Sequence, residues 1–277
     1  MAGGSSDRVT RELRQVFNVG AVGTMSDAEL LEWFLSDREI AGETAFEELM
    51  NRHGPMVFGV CRRVLHDRHD AEDAYQAVFL VLAKRAGSIR RQDSLASWLF
   101  GVAHRVASKA RCRAARRRAV DLKAAERGGE DYLPPEAATD WEFLHHEVDR
   151  LPDRLRAPLV LCHLEGLTYG AAAQRLGLTE GTVRGRLAQG RNRLRTQLNR
   201  RGVTVPAVVL KMGALGQPLT AVPRALSSST IQVVSGSASN GVAKVLAREV
   251  LKAMILNQLK FALGLATTLF LCLGRDG

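Results

Sequence analysis

TYGAAAQRLGLTEGTVRGRLAQGRNRLR, residues Thr168 to Arg195, is the stretch on which the reading of this chain turns. Thr168 offers a hydroxyl to cap a short helix, Tyr169–Leu176, whose Ala172 and Ala173 are small where a second helix must cross closely. Gly177 stands where the chain needs a residue free to take positive φ. Thr179 then caps a longer helix with Val183, Leu187, Leu194 and Leu198 on one face. Two helices joined by a short turn predict a helix-turn-helix, which lays its second helix in the major groove of DNA.

Turning that second helix by about 100° per residue sharpens the expectation. The face opposite the apolar stripe carries Gly181, Gly185, Ala188, Gln189 and Asn192. Arg184, Arg191 and Arg195 flank it on one side, Arg186 and Arg193 on the other. Small residues permit close approach to a duplex, and the arginines reach phosphates or guanine edges. Gln189 and Asn192 are the neutral side chains best placed to read a base.

Upstream, the apolar residues keep helical spacing from Ser26 onward. Ser26-Asp27-Ala28-Glu29 is a capping box. A long helix follows, with Phe46, Leu49, Met50, His53, Val57, Val60, Cys61 and Val64 on its buried stripe. A third runs from about Asp70 to Arg85, buried at Ala71, Ala74, Tyr75, Val78 and Leu82 and acidic in its first turn. Ser94 caps a fourth, with Leu95, Trp98, Leu99, Val102 and Val106 facing inward. The chain therefore reads as all-α: an N-terminal segment 1–25, a four-helix domain 26–118, a linker 119–138 and a compact helical domain 139–201.

Residues 202–240, rich in Ser, Thr, Pro and small residues, read as a flexible linker to a C-terminal tail, 241–277. That tail opens as a basic amphipathic helix bearing Lys244, Arg248, Lys252 and Lys260, and ends in the uncharged run Phe261–Leu273. The run falls short of the roughly 20 apolar residues of a spanning helix unless Ala253–Leu259 is drawn in. A membrane anchor, a surface or partner-binding helix and simple packing stay open as readings.

Lys and Arg total 39 against 29 Asp and Glu, a net charge of +10, which favours a polyanionic partner, nucleic acid or an anionic membrane. Cys61, Cys112, Cys162 and Cys272 form no CxxC pair, which argues against a disulfide framework or zinc ribbon and suits a reducing cytoplasm. Residues 1–24 lack the apolar stretch of a secretory signal. His53, His66 and His69 lie near Cys61, but they read as packed or exposed histidines rather than metal ligands. With no phosphate-binding glycine loop followed by lysine and no GxSxG, the chain reads as a non-enzyme without metal or cofactor.

Five segments carry a resemblance. Leu151-Pro152-Asp153-Arg154-Leu155-Arg156-Ala157-Pro158-Leu159, Leu164-Glu165-Gly166-Leu167-Thr168-Tyr169 and Gly181-Thr182-Val183-Arg184 resemble region 4 of bacterial sigma factors. Asp70-Ala71-Glu72-Asp73-Ala74-Tyr75-Gln76-Ala77-Val78-Phe79-Leu80 and Ser94-Leu95-Ala96-Ser97-Trp98-Leu99 resemble region 2. With only a short linker between them, the architecture is similar to the extracytoplasmic-function (ECF) group. The resemblance implies a promoter-specificity factor for core RNA polymerase. Asp70, Glu72, Asp73, Gln76 and Phe79 would dock on the clamp helices of the polymerase β′ subunit, with Phe79 read as exposed, off the buried stripe. The loop Gly87–Asp93 and the helix after it would melt and read the minus-10 element, with charge from Arg90, Arg91, Arg105, Lys109, Arg111 and Arg113. Thr182, Arg184, Arg186, Gln189 and Arg191 would read the minus-35 element.

Gly170-Ala171-Ala172-Ala173 departs from the Glu-Glu-Ile-Ala common in that family, and Gly185 stands where a serine is common. An anti-sigma factor and a membrane tether on the inner, cytoplasmic face stay open as further associations. A free-standing helix-turn-helix repressor or activator is the rival reading; it would not need the Asp70–Phe79 surface. A membrane-associated adaptor is a third.

Overall fold

The computed structural model describes residues 22–36, 40–65, 67–89, 94–125, 140–200 and 221–256, which form helices and turns without a strand. Helix α1 (Asp27–Ser36) opens at its capping box: the Ser26 amide donates to Glu29 Oε2 at 2.6 Å and the Glu29 amide to Ser26 Oγ at 3.3 Å. Helix α2 (Ile40–Val64) carries the long apolar stripe, and every stripe residue from Phe46 to Val64 is buried. Helix α3 (Arg68–Arg85) starts at Asp67, whose carboxylate accepts from the Asp70 amide at 2.9 Å. A single 3₁₀ turn, Ala86–Ser88, ends it. Ser94 then starts helix α4 (Leu95–Ala125), its Oγ accepting from the Ser97 amide at 3.4 Å.

These four helices enclose an aromatic ladder. Phe34 meets Phe46 at 4.8 Å between ring centroids, Phe46 meets Phe79 edge-on at 6.1 Å, Phe79 meets Tyr75 at 4.9 Å, and Tyr75 meets Phe58 edge-on at 5.8 Å. Offset and edge-on pairs of this kind add about 0.5–1.5 kcal/mol each beyond their area burial. Gly54 gives Tyr75 its place, since a methyl group there would sit 2.8 Å from the phenol oxygen.

The second domain comprises α5 (Asp140–Asp149), α6 (Asp153–Leu159) with a wide π-type turn Val160–Leu164, α7 (Tyr169–Leu176) and α8 (Glu180–Asn199). It packs against the first domain through both apolar and polar contacts. Leu144 and Val148 are buried in a core continuous with that of the first domain, and Phe100 of α4 meets the His145 ring edge-on at 5.7 Å. Ser97 Oγ donates to Asp153 at 2.6 Å and accepts from Arg156 at 2.8 Å, and Arg105 of α4 reaches Asp149 at 3.4 Å.

Two boundaries differ from the sequence reading. Helix α4 continues through Ala119–Ala125, because Ala119, Leu122, Lys123, Ala124 and Ala125 are strong helix formers that outweigh the linker character of the following Gly128-Gly129. Within the segment expected to be flexible, Arg224–Ser235 forms helix α9, and a final helix, α10, occupies 241–256. Leu226, Thr230 and Val233 of α9 are buried against α2 and α3. The serines that lower helix propensity bond back along α9 instead of competing with it: Ser228 donates to the Arg224 carbonyl at 3.1 Å and Thr230 to that of Leu226 at 2.6 Å. Packing, not propensity, makes this helix. No helix among the described residues is long and apolar enough to cross a membrane; Phe261–Leu273 lies outside them.

Candidate nucleic-acid interface

The helix-turn-helix forms as its residues dictate. Thr168 Oγ1 accepts from the Ala171 amide at 3.2 Å and Thr179 Oγ1 from the Thr182 amide at 3.3 Å, so both helices carry side-chain caps. Gly177 takes φ 62°, and the Leu178 amide turns back to the Ala173 carbonyl at 2.9 Å, closing α7. Val183, Leu187, Leu194 and Leu198 are buried, and so is Gly190, where an added Cβ would lie in ordinary contact 3.6 Å from the Leu155 carbonyl oxygen of α6.

The opposite face of α8 is open. Gly181, Thr182, Arg184, Gly185, Ala188, Gln189, Arg191, Asn192, Arg193 and Arg195 are exposed, and Arg186 is half-buried. Open space lies over Gly181 and Gly185, so packing does not demand glycine at either position. Their effect is to leave bare backbone on the outer face, where another molecule can come close. Thr182 Oγ1 shares a 2.8 Å hydrogen bond with Thr179. Arg184 donates to Glu180 at 2.6 Å and lies 5.4 Å over the Tyr169 ring.

The residues expected to hold a melted strand are differently placed. Arg90 and Arg91 lie outside the described residues. Arg105 bonds to Asp149 of the second domain, while Lys109 and Arg113 face Glu249 of α10 at 3.8 and 3.3 Å. Arg111 is half-buried on the same helix.

On α3, Asp70 pairs with Arg117 at 3.4 Å and Glu72 with Arg68 at 2.8 Å. Asp73 and Gln76 accept hydrogen bonds from Asn240, and Gln76 also donates to Ser229 at 3.0 Å. Phe79 corrects the sequence reading: it is fully buried between Tyr75 and Phe46, not exposed. A single buried stripe was too narrow a description, because α3 is covered on nearly every side from Ala74 to Leu82.

One constellation escaped the sequence reading. His53 is fully buried, with Nδ1 2.6 Å from Glu165 and Nε2 3.1 Å from Asp27. Arg52 holds Asp27 at 3.2 Å and Arg175 holds Glu165 at 3.1 Å. Burial alone would lower the His53 pKa, but the Glu165 and Asp27 carboxylates raise it to about 9. Burial opposes ionisation of Asp27 too, yet His53, Arg175 and Arg52 bring its carboxyl down to about 2. The available signal was the position of His53 on an apolar stripe, since a buried imidazole requires partners. Among the described residues, no group of three or more His, Cys, Asp or Glu is placed to hold a metal ion.

Comparison with known proteins agrees with this architecture. The profile of sigma-70 region 2 matches residues 49–118, and that of sigma-70 region 4 matches residues 144–194. The ECF RNA polymerase sigma factor SigM of Mycobacterium tuberculosis is 33% identical over 174 residues, covering 61% of this chain and 83% of that one. SigE of Mycolicibacterium smegmatis is 29% identical over 57% of this chain and 63% of its own length, so the match spans under two thirds of that relative. SigW of Bacillus subtilis is 26% identical over 56% of this chain and 90% of its own. A solved complex of the sigma factor RpoE with the anti-sigma factor NepR from Bartonella quintana matches 55% of this chain at 19% identity, with a TM-score of 0.25.

Proposed function

Since the chain belongs to the ECF RNA polymerase sigma factors, we propose that it brings core RNA polymerase to promoters by reading the minus-35 element with α8 and opening the minus-10 element with its first domain. The observation that carries this reading is the outer face of α8. It offers two bare glycines, two neutral hydrogen-bonding side chains and flanking arginines, on a helix capped and braced from behind.

The physics of each part follows from its residues. Arg191, Arg193 and Arg186 neutralise phosphates and set the register of α8 on the duplex. Gln189 and Asn192 pair with base edges, as amide side chains do with adenine. Thr182 and Arg184 sit at the N-terminal end of the helix, where the macrodipole also favours a phosphate. Arg90, Arg91, Arg105, Lys109, Arg111 and Arg113 supply cations for a displaced strand once Arg105, Lys109 and Arg113 are freed from their intramolecular carboxylates. Asp70, Glu72, Asp73 and Gln76 on α3 form the surface for the β′ clamp helices, with Phe79 shaping it from within the core. Ala243, Leu246, Ala247 and Val250 of α10 are buried while Val245, Ile255 and Leu256 are exposed, and the run Phe261–Leu273, on which a membrane tether would rest, lies outside the described residues.

The test is reconstitution with core polymerase on a library of promoter fragments. Run-off transcription that depends on the chain, and that is lost on substitution of Gln189 and Arg191, supports the reading. Tight duplex binding without polymerase, and no initiation with it, overturns it in favour of a free-standing repressor.

A further inference from the structure

Asn240 occupies a junction between α9 and α10 and performs two tasks at once. Its Oδ1 accepts from the Val242 and Ala243 amides, both at 3.1 Å, and so caps α10. Its Nδ2 donates to Asp73 Oδ1 and to Gln76 Oε1, both at 2.7 Å. Gln76 is thereby only 7% exposed, with its own amide donating to Ser229 of α9.

The cover extends along α3 and onto α4. Val233 is buried from α9; Leu246 and Val250 are buried from α10. Val242 and Leu246 share a cleft with Asp70, Asp73, Arg113 and Arg117. Farther along α10, Glu249 meets Arg113 at 3.3 Å and Lys109 at 3.8 Å, while the Lys109 ammonium also donates to the Glu249 carbonyl at 3.3 Å. Apolar seal, donor and acid are thus matched to α3 and α4 position by position.

We infer that residues 221–256 form an intramolecular cover over the polymerase-docking face of α3, so that the chain engages core polymerase only in molecules whose cover has lifted. This rests on the reading of Asp70, Glu72, Asp73 and Gln76 as the docking face. The apparent affinity for polymerase is then reduced by the fraction of molecules with that face bare. The same movement frees Lys109 and Arg113 from Glu249, coupling exposure of the docking face to release of cations for the displaced strand.

Asn240→Asp tests the cover in the full-length chain. Aspartate caps a helix as well as asparagine does, but it places a carboxylate against Asp73 where a donor stood. Glu249→Arg is a second variant that opposes Lys109 and Arg113 at the far end of α10. Binding of each chain to purified core polymerase is measured by fluorescence anisotropy, alongside amide hydrogen exchange across 224–256 and 70–80. The expected result is at least a tenfold gain in affinity, with faster exchange in both segments and unchanged helical circular dichroism. Equal affinity for wild type and both variants, with exchange increased, overturns the cover. Glu72→Lys, placed in the wild-type and Asn240→Asp chains, separates the two readings. Loss of binding in both confirms the docking face whether or not the cover stands; no loss in either refutes the docking face and the inference built on it.

Discussion

His53 of the first domain and Glu165 of the second are joined by a 2.6 Å bond between Nδ1 and a carboxylate oxygen, with both side chains almost wholly out of water. Asp27 completes the pair from α1. The minus-10 and minus-35 elements lie about 25 base pairs apart, roughly 85 Å of duplex at 3.4 Å per step. A compact body of about 175 residues is roughly 40 Å across. On the proposed reading, in which one domain takes each element, the two domains must part to occupy both, and the His53–Glu165 bond opposes that parting.

The pH dependence of this junction follows from its shifts. His53 is raised from 6.5 to about 9, so its contribution is fully present below pH 6.5 and is lost as pH rises through about 9. Asp27, lowered from 3.8 to about 2, contributes above pH 3.8 and loses that contribution as pH falls through about 2. Domain separation, followed by energy transfer between dyes on the two domains, should be least between pH 4 and 6.5 and grow toward pH 9. His53→Ala should remove the alkaline limb and cost about 1.5–3 kcal/mol in urea denaturation, since it removes a charged hydrogen-bond partner from two carboxylates that keep Arg52 and Arg175. An unchanged alkaline limb in that variant would assign the opening to other groups.

Phe79 supplies a second prediction. Enclosed by Phe46 and Tyr75, it should behave as a core residue: Phe79→Ala should lower stability by about 3–5 kcal/mol. Phe79→Leu, which keeps most of the volume, should cost less than about 1.5 kcal/mol and leave polymerase binding within a factor of two. A leucine variant that folds normally but no longer binds polymerase would show that the ring reaches the partner after all.

At Gly177 the backbone sets the cost. With φ at 62°, a Cβ is opposed by the following carbonyl, although no neighbouring atom lies within 4 Å to clash with it. Gly177→Ala should therefore lower stability by about 1–2 kcal/mol through the turn alone. Gly185→Ala, in regular helix under open space, should raise it by up to about 1 kcal/mol. Thermal melts of the two variants that moved in the same direction would refute this account.

Short-range chemistry explains what could be read in advance. Both caps of the helix-turn-helix and the Gly177 turn involve residues within five positions of one another, and the buried stripe of α8 recurs at four- and seven-residue steps; all were legible. The His53–Glu165 bond spans 112 positions and the Asn240–Asp73 bond spans 167; neither leaves a local periodicity. Helix α9 was missed for a related reason. Its serines and threonine argue against a helix until a surface exists for Leu226 and Val233 to pack on. The site followed the same rule: the exposed face of α8 was foreseen, but the intramolecular partners of Arg105, Lys109 and Arg113 were not.

The division of labour along α8 can be decided by salt. Arg191 is exposed and assigned to a phosphate, so Arg191→Ala in the holoenzyme should weaken all promoters alike and reduce the slope of log affinity against log salt by about 0.9. Gln189→Ala should leave that slope unchanged and cost about 1–3 kcal/mol, confined to promoters carrying the preferred base at one position. Arg184 should fall between them. It must leave Glu180 and the Tyr169 ring to reach DNA, but that exposed pair is worth no more than about 1 kcal/mol, so most of its charge remains available. Titrations of matched and single-base-altered minus-35 elements at several salt concentrations resolve the three. A Gln189 variant that lost affinity uniformly, with a reduced salt slope, would make that residue a backbone contact and move the reading of bases to Asn192.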